Sequence, residues 1–265
     1  MTEDSTAPSM SLVTPLGHEY WRDRAGNVFW CRLFDAELNV YRGQYRVNGV
    51  DLDSFEPLNH NWSRDARRVY CQASRLMADR ESFKILNAIY ARDRRFIYYL
   101  GGKAKGIDRE SFEVLDRGEV PSTGRRPDGV EHKGYARDRS SVYFHDMLCG
   151  KPRAIRHADP ATFEVLDAAD SISRDKNSVF WEERRTKGAD PASLEVLGGG
   201  YYRDRVRVYY AERALPEADR DTFTVVDANH YLARDCFNKY ESGMREGDSD
   251  GLQSHQAGSG ELNRR

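Results

Sequence analysis

The residues with the most obvious chemical potential are arginine and aspartate pairs that recur along the chain. Seven copies of a motif place Arg and Asp next to each other, two residues after an aromatic or aliphatic position, and their aspartates are Asp23, Asp65, Asp93, Asp138, Asp175, Asp204 and Asp235. Carboxylates and their cationic neighbours serve in general acid–base catalysis. A residue that recurs in every copy is expected to do the same structural job in each. We therefore predict that these aspartates set turns.

Other catalytic or metal-binding patterns are not found in the sequence. The seven histidines show no HxH or HExxH spacing, and the chain contains no GxSxG, P-loop or GxGxxG motif. His60 and His230 each stand five residues before a repeat aspartate, which favours a shared loop role over a metal pair. His145 and Cys149 could approach each other but have no evident further ligands. We predict no catalytic residue, no metal and no cofactor.

A second motif follows each of the first six Arg-Asp copies. It reads Asp-x-x-Ser/Thr-aromatic-x-Val-Leu with small variations, and its copies begin at Asp51, Asp79, Asp108, Asp159, Asp190 and Asp219. Two motifs that alternate in the same order six times indicate a tandem repeat of about 30 residues. Residues 31–50, 116–134 and 144–157 are then insertions, and the composition of the second predicts an exposed loop.

Several of these segments resemble the DKNYY repeat family of bacterial proteins. The resemblance rests on residues 135–138 (YARD), on Asp175, Lys176 and Asn177 before Val179 and Phe180, and on residues 158–166 (ADPATFEVL). It extends over residues 20–240 and implies a repeat architecture without an active site. Most turns here carry Asp-Arg where the family pattern has Asp-Lys-Asn.

The local chemistry of the repeat predicts an all-β fold. An aspartate at a strand end favours a turn, and the β-branched and aromatic residues after it favour a returning strand. Asp159 and Pro160 are a suitable N-cap and first residue for a one-turn helix. Because an isolated hairpin is marginally stable, neighbouring units must stack. We predict tandem β-hairpin repeats of about 30 residues, each with a one-turn helix, stacked in an open array. A closed propeller is the alternative architecture, although it typically uses about 40 residues per blade.

This prediction divides the chain into three parts. Residues 18–242 form the repeat domain, with six repeats and a terminal capping hairpin, whereas residues 1–17 and 243–265 are predicted to be disordered tails. In the last copy Lys239 replaces the usual β-branched residue.

Composition narrows the classes of partner. The 265 residues include 41 basic and 43 acidic side chains, for a net charge of −2, which argues against a broad nucleic-acid surface. No apolar run is long enough to predict membrane insertion, and the polar N-terminal sequence does not resemble a secretory signal. We expect a cytoplasmic protein.

The residues that differ between copies are the candidates for partner binding. They are Arg125, Arg126 and His132 in the second insertion, and Trp181, Arg184 and Arg185 in the fifth copy. Trp and Arg are common interface anchors, although a solvated hairpin tip is the structural alternative.

We predict a non-catalytic scaffold that binds another protein, with an immunity protein that neutralises a bacterial toxin as a specific case. A carbohydrate or cell-envelope binding module is an alternative, as is a cryptic hydrolase that uses His145, Asp146 and His157.

Overall fold

The computed structural model describes residues 12–35, 40–100, 102–121, 130–146 and 150–247, which form seven small antiparallel sheets in tandem. Sheet 1 contains β1 Leu12–Gly17, β2 Tyr20–Asp23, β3 Val28–Asp35 and β4 Val40–Val47. Sheet 2 contains β5 Glu56–Pro57, β6 Trp62–Arg64, β7 Val69–Cys71 and β8 Ser74–Leu76. Sheet 3 contains β9 Lys84–Ile85, β10 Ala91–Arg92, β11 Ile97–Tyr99 and β12 Gly102–Lys103. Sheet 4 contains β13 Glu113–Val114, β16 Lys133–Arg137, β17 Val142–Asp146 and β18 Arg153–Ala154, with β14 Val120–Pro121 and β15 Val130–Glu131 as a separate hairpin. Sheet 5 contains β19 Glu164–Asp167, β20 Ile172–Arg174, β21 Val179–Trp181 and β22 Arg184–Thr186. Sheet 6 contains β23 Glu195–Gly198, β24 Tyr201–Arg203, β25 Val208–Tyr210 and β26 Arg213–Leu215. Sheet 7 contains β27 Thr224–Asp227, β28 Leu232–Arg234, β29 Lys239–Glu241 and β30 Met244–Arg245.

Each sheet has four strands that pair in chain order, apart from the inserted hairpin of sheet 4. The Arg-Asp motif forms the second strand and the turn into the third, as predicted. The second motif supplies the first strand of the sheet that follows it, so the structural repeat begins at that motif. Sheet 7 is therefore a full four-stranded unit and not the partial hairpin that the sequence suggested, because Thr224–Asp227 pairs with Leu232–Arg234.

The sheets stack face to face, and the alternation of side chains along a strand determines what each face buries. In sheet 6, Tyr201 and Val208 pack with Ala233 and Tyr240 of sheet 7. Six hydrophobic clusters join sheets 1 to 7 in consecutive pairs, and among the described residues none of them joins sheet 7 to sheet 1. Burial of each aromatic or aliphatic side chain stabilises the fold by roughly 1.5–3 kcal/mol.

The outer face of sheet 7, where an eighth unit would stack, places the charged residues Lys239 and Glu241 beside Leu232 and Met244. Lys239 occupies the position that valine or isoleucine holds in the preceding units, and its side chain is 76% exposed. On the opposite face Tyr240 keeps its packing against sheet 6. An exposed lysine at this position gives the outer face the kind of charged surface that keeps a solvent-facing sheet of a repeat array soluble.

The structure differs from the predicted secondary structure in three respects. The one-turn helix is a short 3-10 helix at Leu52–Ser54 and Pro191–Ser193, whereas Asp159 and Pro160 lie in a turn. Residues 12–17 and 244–245, predicted to be tails, pair as strands, and residues 1–11 and 248–265 lie outside the described residues. The insertion predicted as a loop at 116–134 is a hairpin where it is described, and the predicted insertions 31–50 and 144–157 instead contain the fourth strands of sheets 1 and 4.

No helix in the described part of the chain has the length and apolar character needed to span a membrane.

Candidate functional site

The two ends of the stack have different chemistry. The turns between second and third strands carry the seven repeat aspartates, and we call this side the aspartate end. The turns between first and second and between third and fourth strands form the distal end. In sheets 5 to 7 the distal end comprises residues 168–171, 182–183, 199–200, 211–212, 228–231 and 242–243.

Six of the seven repeat aspartates, all except Asp23, are buried acceptors of hydrogen bonds. In sheet 6, Asp204 Oδ1 accepts the N–H groups of Val206 and Arg207 at 2.7 and 2.8 Å, while Oδ2 accepts the N–H of Asp190 at 3.0 Å and the hydroxyl of Tyr209 at 2.9 Å. Four donors therefore converge on one carboxylate. The same four-donor arrangement recurs at Asp65, Asp93, Asp138 and Asp235.

These hydrogen bonds lower the pKa of the buried carboxyls. Burial alone would raise the pKa of Asp138, but the N–H groups of Asp108 and Ser140 and the hydroxyl of Tyr143 outweigh it, and the pKa lies at about 2. A carboxylate that is saturated with donors and difficult to protonate is poorly suited to proton transfer. The geometry thus gives the aspartate end a structural role.

The second motif is hydrogen-bonded to the same turns. Five of its six aspartates, all except Asp51, accept side-chain hydrogen bonds from their own turn, as Asp190 does from Ala192 and Ser193. The hydroxyl of Ser193 in turn accepts the N–H of Arg205, and this bond recurs at Ser54, Ser82, Ser111, Thr162 and Thr222. The basic residue after the repeat aspartate pairs with the motif aspartate, as Lys176 does with Asp159 at 2.8 Å.

The distal end contains a cavity that is not part of the recurring hydrogen-bond pattern described above. Its volume is about 240 Å³, and it is built from sheets 4 to 7. The residues that line it are Glu131, Lys133, Ala169, Asp170, Trp181, Glu182, Gly200, Tyr210, Ala211 and Tyr231. The lining thus combines three acids and three aromatic rings with a single lysine.

Burial raises the pKa of two of these acids. For Asp170 the N–H groups of Gly200 and Gly199 offset the burial only in part. For Glu182 the burial is reinforced by the negative charges of Glu183 and Asp146. Lys133 acts in the opposite direction on both groups, but its ammonium is also 3.9 Å from Glu131. The cavity therefore has more negative than positive charge.

Two glycines position one aromatic wall. A Cβ at Gly200 would lie 3.1 Å from the ring of Tyr210, and a Cβ at Gly243 would lie 2.6 Å from the Cβ of the same residue. Both glycines also have positive φ, at 76° and 71°. The ring of Tyr210 rests in the space that the missing side chains leave, and it lies 4.8 Å from the ring of Tyr201. Gly198 ends the first strand of sheet 6, and Gly199 and Gly200 form the turn that leads into Tyr201.

The structure distributes the predicted partner-binding residues over several environments. Trp181 lines the cavity. Arg184 lies beside it, with its guanidinium 5.8 Å from the Trp181 ring and 2.8 Å from Glu212 of the next sheet, whereas the exposed Arg185 pairs across the hairpin with Phe180. Arg125 and Arg126 lie outside the described residues.

The Arg184–Glu212 pair belongs to a series of links between units. Arg153 of sheet 4 pairs with Glu183 of sheet 5 at 3.0 Å, and Arg213 of sheet 6 donates to the carbonyl of Ser242 in sheet 7. Each arginine begins a fourth strand and reaches the distal turn of the following sheet. Arg184 therefore has a structural contact in addition to its place beside the cavity.

His132 is buried and belongs to a group that the sequence did not reveal. Its ring centroid is 6.2 Å from that of His60, which is 5.3 Å from that of His18. His60 also approaches Glu19 at 3.5 Å, and this carboxylate raises its pKa. His230, which shares the register of His60, instead contacts Asp227 in sheet 7 at 2.8 Å. His132 directly follows the inserted hairpin of sheet 4 and lies beside His60 of sheet 2.

The remaining chemical candidates do not assemble into a site in the described structure. His145 is buried between Tyr90 and Tyr99, and burial lowers its pKa to about 4. His157 is exposed in the segment before Asp159, toward the aspartate end, whereas His145 and Asp146 pair with the start of β16 at the distal end. Within the described ranges, no three His, Cys, Asp or Glu side chains are arranged to hold a metal ion.

A DKNYY family model matches residues 35–184 and 135–199 of the chain. No curated protein matches the chain, and no solved structure does.

Proposed function

The chain belongs to the DKNYY family, and from this premise we propose that it is a non-catalytic repeat scaffold that binds another protein at the distal end of sheets 4 to 7. The observation that carries the proposal is the cavity built from four consecutive units. Its lining residues differ from copy to copy, whereas the polar groups of the aspartate end are used in bonds that recur from unit to unit.

Concave sites assembled from several repeats are the usual binding surfaces of stacked-repeat proteins. The cavity of about 240 Å³ is smaller than the roughly 300–1,000 Å³ typical of small-molecule sites. A protein partner that inserts one side chain needs no more room than this. Tyr and Trp at the wall are also the residue types that interface hot spots favour.

Site-specific photo-crosslinking in the source cells tests the proposal. A photoreactive amino acid at Ala169, which is exposed and lines the cavity, should capture one defined protein. The same amino acid at Asn177, exposed at the aspartate end of the same sheet, is the matched control. The captured protein must then bind the purified chain with 1:1 or other fixed stoichiometry. Equal labelling at both positions, or no purified complex, would refute a distal-end binding site.

An immunity protein that neutralises a bacterial toxin is the specific form that we propose, by analogy with the use of such scaffolds. Its partner would be a toxin that acts in the cytoplasm. Co-expression with the product of the adjacent gene should relieve growth inhibition by that product. If the adjacent gene product is harmless by itself, the immunity role is refuted. The crosslinking experiment then still decides whether the chain binds a protein at the distal end.

A further inference from the structure

We infer that the distal cavity takes the side chain of an arginine from the protein partner. This inference rests on the proposed binding function and adds the chemistry of the group that is recognised. It follows from the charge of the lining residues, from the aromatic residues among them and from the position of the acids near the surface.

The charge of the lining calls for a cation. Glu131, Asp170 and Glu182 face the same space as Lys133, so the ionised lining carries a net charge of −2. Outside the lining, Asp146 and Glu183 also act on Glu182, but Arg153 pairs with both of them and Arg184 opposes their effect, so the excess of negative charge lies in the lining itself. A buried charge is stabilised by a partner of opposite sign, and one lysine does not supply enough positive charge for three acids.

The aromatic walls distinguish a guanidinium from other cations. Trp181, Tyr210 and Tyr231 all line the cavity. A planar guanidinium stacks on such rings and can donate paired hydrogen bonds to carboxylates, whereas an ammonium acts as a compact point charge. The chain already uses this chemistry next to the site, where the Arg184 guanidinium lies over the Trp181 ring.

The position of the acids suits entry from solvent. Glu182 and Ala211 are in two-residue turns at the distal surface, and Asp170 is in the neighbouring turn of sheet 5. A side chain that enters between these turns passes the exposed Ala169 and meets Asp170 and Glu182. The partner backbone would then stay outside the stack.

Titration of the full chain with a blocked Gly-Gly-Arg-Gly-Gly peptide tests the inference without any mutation. We expect a dissociation constant on the order of 1 mM, which corresponds to about 4 kcal/mol. The NMR signals of Lys133, Glu182 and Gly200 should shift on binding. The isosteric citrulline peptide should bind at least about tenfold more weakly, because it lacks the charge.

Variants locate the binding within the cavity. Glu182→Gln and Asp170→Asn should each weaken the arginine peptide at least about tenfold, whereas Glu164→Gln should leave it unchanged. Glu164 is an exposed acid of the same sheet that pairs with Arg174 at the aspartate end.

Three results would overturn the inference: equal binding of the arginine and citrulline peptides, spermidine binding more tightly than the arginine peptide, or unchanged affinity in Glu182→Gln and Asp170→Asn. If crosslinking at Ala169 still captures a partner while the arginine peptide does not bind, the inference fails and the scaffold function stands. If the peptide binds but no partner is captured at Ala169, the scaffold function fails.

Discussion

The carboxylate of Asp204 accepts a hydrogen bond of 3.0 Å from the backbone N–H of Asp190, which lies 14 residues earlier in the chain. This bond joins the two sequence motifs of the repeat into one unit. The same carboxylate receives the hydroxyl of Tyr209 from the following strand. A single aspartate therefore holds together the turn that precedes the sheet, the hairpin turn and the third strand.

Removal of one donor should measure the strength of this arrangement. Tyr209→Phe deletes the hydroxyl that bonds Asp204 while it keeps the ring in the core. A hydrogen bond to a charged group contributes about 1.5–3 kcal/mol, so we expect the free energy of unfolding to fall by that amount. Chemical denaturation would measure it, and a loss below about 0.5 kcal/mol would contradict the role assigned to the hydroxyl.

The fifth sheet offers the reverse experiment. Phe180 stands where sheets 2, 3, 4, 6 and 7 have tyrosine, and Asp175 Oδ2 accepts only the N–H of Asp159 among the bonds described for that oxygen. Phe180→Tyr should place a hydroxyl near this acceptor and stabilise the fold by about 0.5–1.5 kcal/mol. A lower midpoint of urea denaturation for Phe180→Tyr than for wild type would show that the fifth sheet has no room for the group.

Acid should destabilise the stack within a defined pH range. The folded-state pKa values of Asp65, Asp93, Asp138, Asp204 and Asp235 lie below the ordinary value of 3.8, with that of Asp138 at about 2. Their stabilisation is therefore complete above about pH 4 and is lost as the pH falls towards 2. Thermal midpoints measured from pH 6 to pH 2.5 should fall mainly below pH 4, and a loss that is already complete at pH 5 would contradict this mechanism.

The glycines beside Tyr210 provide a matched pair of substitutions. Gly243→Ala combines a left-handed backbone with a Cβ that would collide with Tyr210, whereas Gly106→Ala has a similar φ of 78° and open space around its Cβ. The conformation alone costs about 1–2 kcal/mol in both variants. Gly243→Ala should lose at least about 1 kcal/mol more in chemical denaturation, as overpacking does. Equal losses would show that Tyr210 moves freely.

The charged residues on the outer face of sheet 7 should keep the stack from growing. Lys239→Val with Glu241→Tyr would recreate the apolar face of the preceding units on a sheet that no later sheet covers among the described residues. We expect this double variant to self-associate at micromolar concentrations in analytical ultracentrifugation. Lys187→Val with Glu217→Tyr, at exposed positions outside the strands, is the control that should stay at the wild-type mass.

The amino-acid sequence was sufficient for the local design of the fold. The strand that ends at Arg203, the turn at Asp204 and the return at Val208 follow from turn chemistry and from the strand preferences of neighbouring residues. The recurrence of these patterns predicts tandem units. Each of these properties depends on residues within one unit.

Only the tertiary structure decided where one unit begins, which turns share an end and which side chains meet. The second motif forms the first strand of the following sheet because the N–H of Asp190 bonds Asp204, a pairing across 14 residues that no local preference encodes. The cavity and the contact between His60 and His132 arise because stacking places turns from different sheets side by side. Spacing along the chain does not report distances set by the packing of sheet faces, so the sequence named Trp181 but not Asp170, Glu182 or Tyr210.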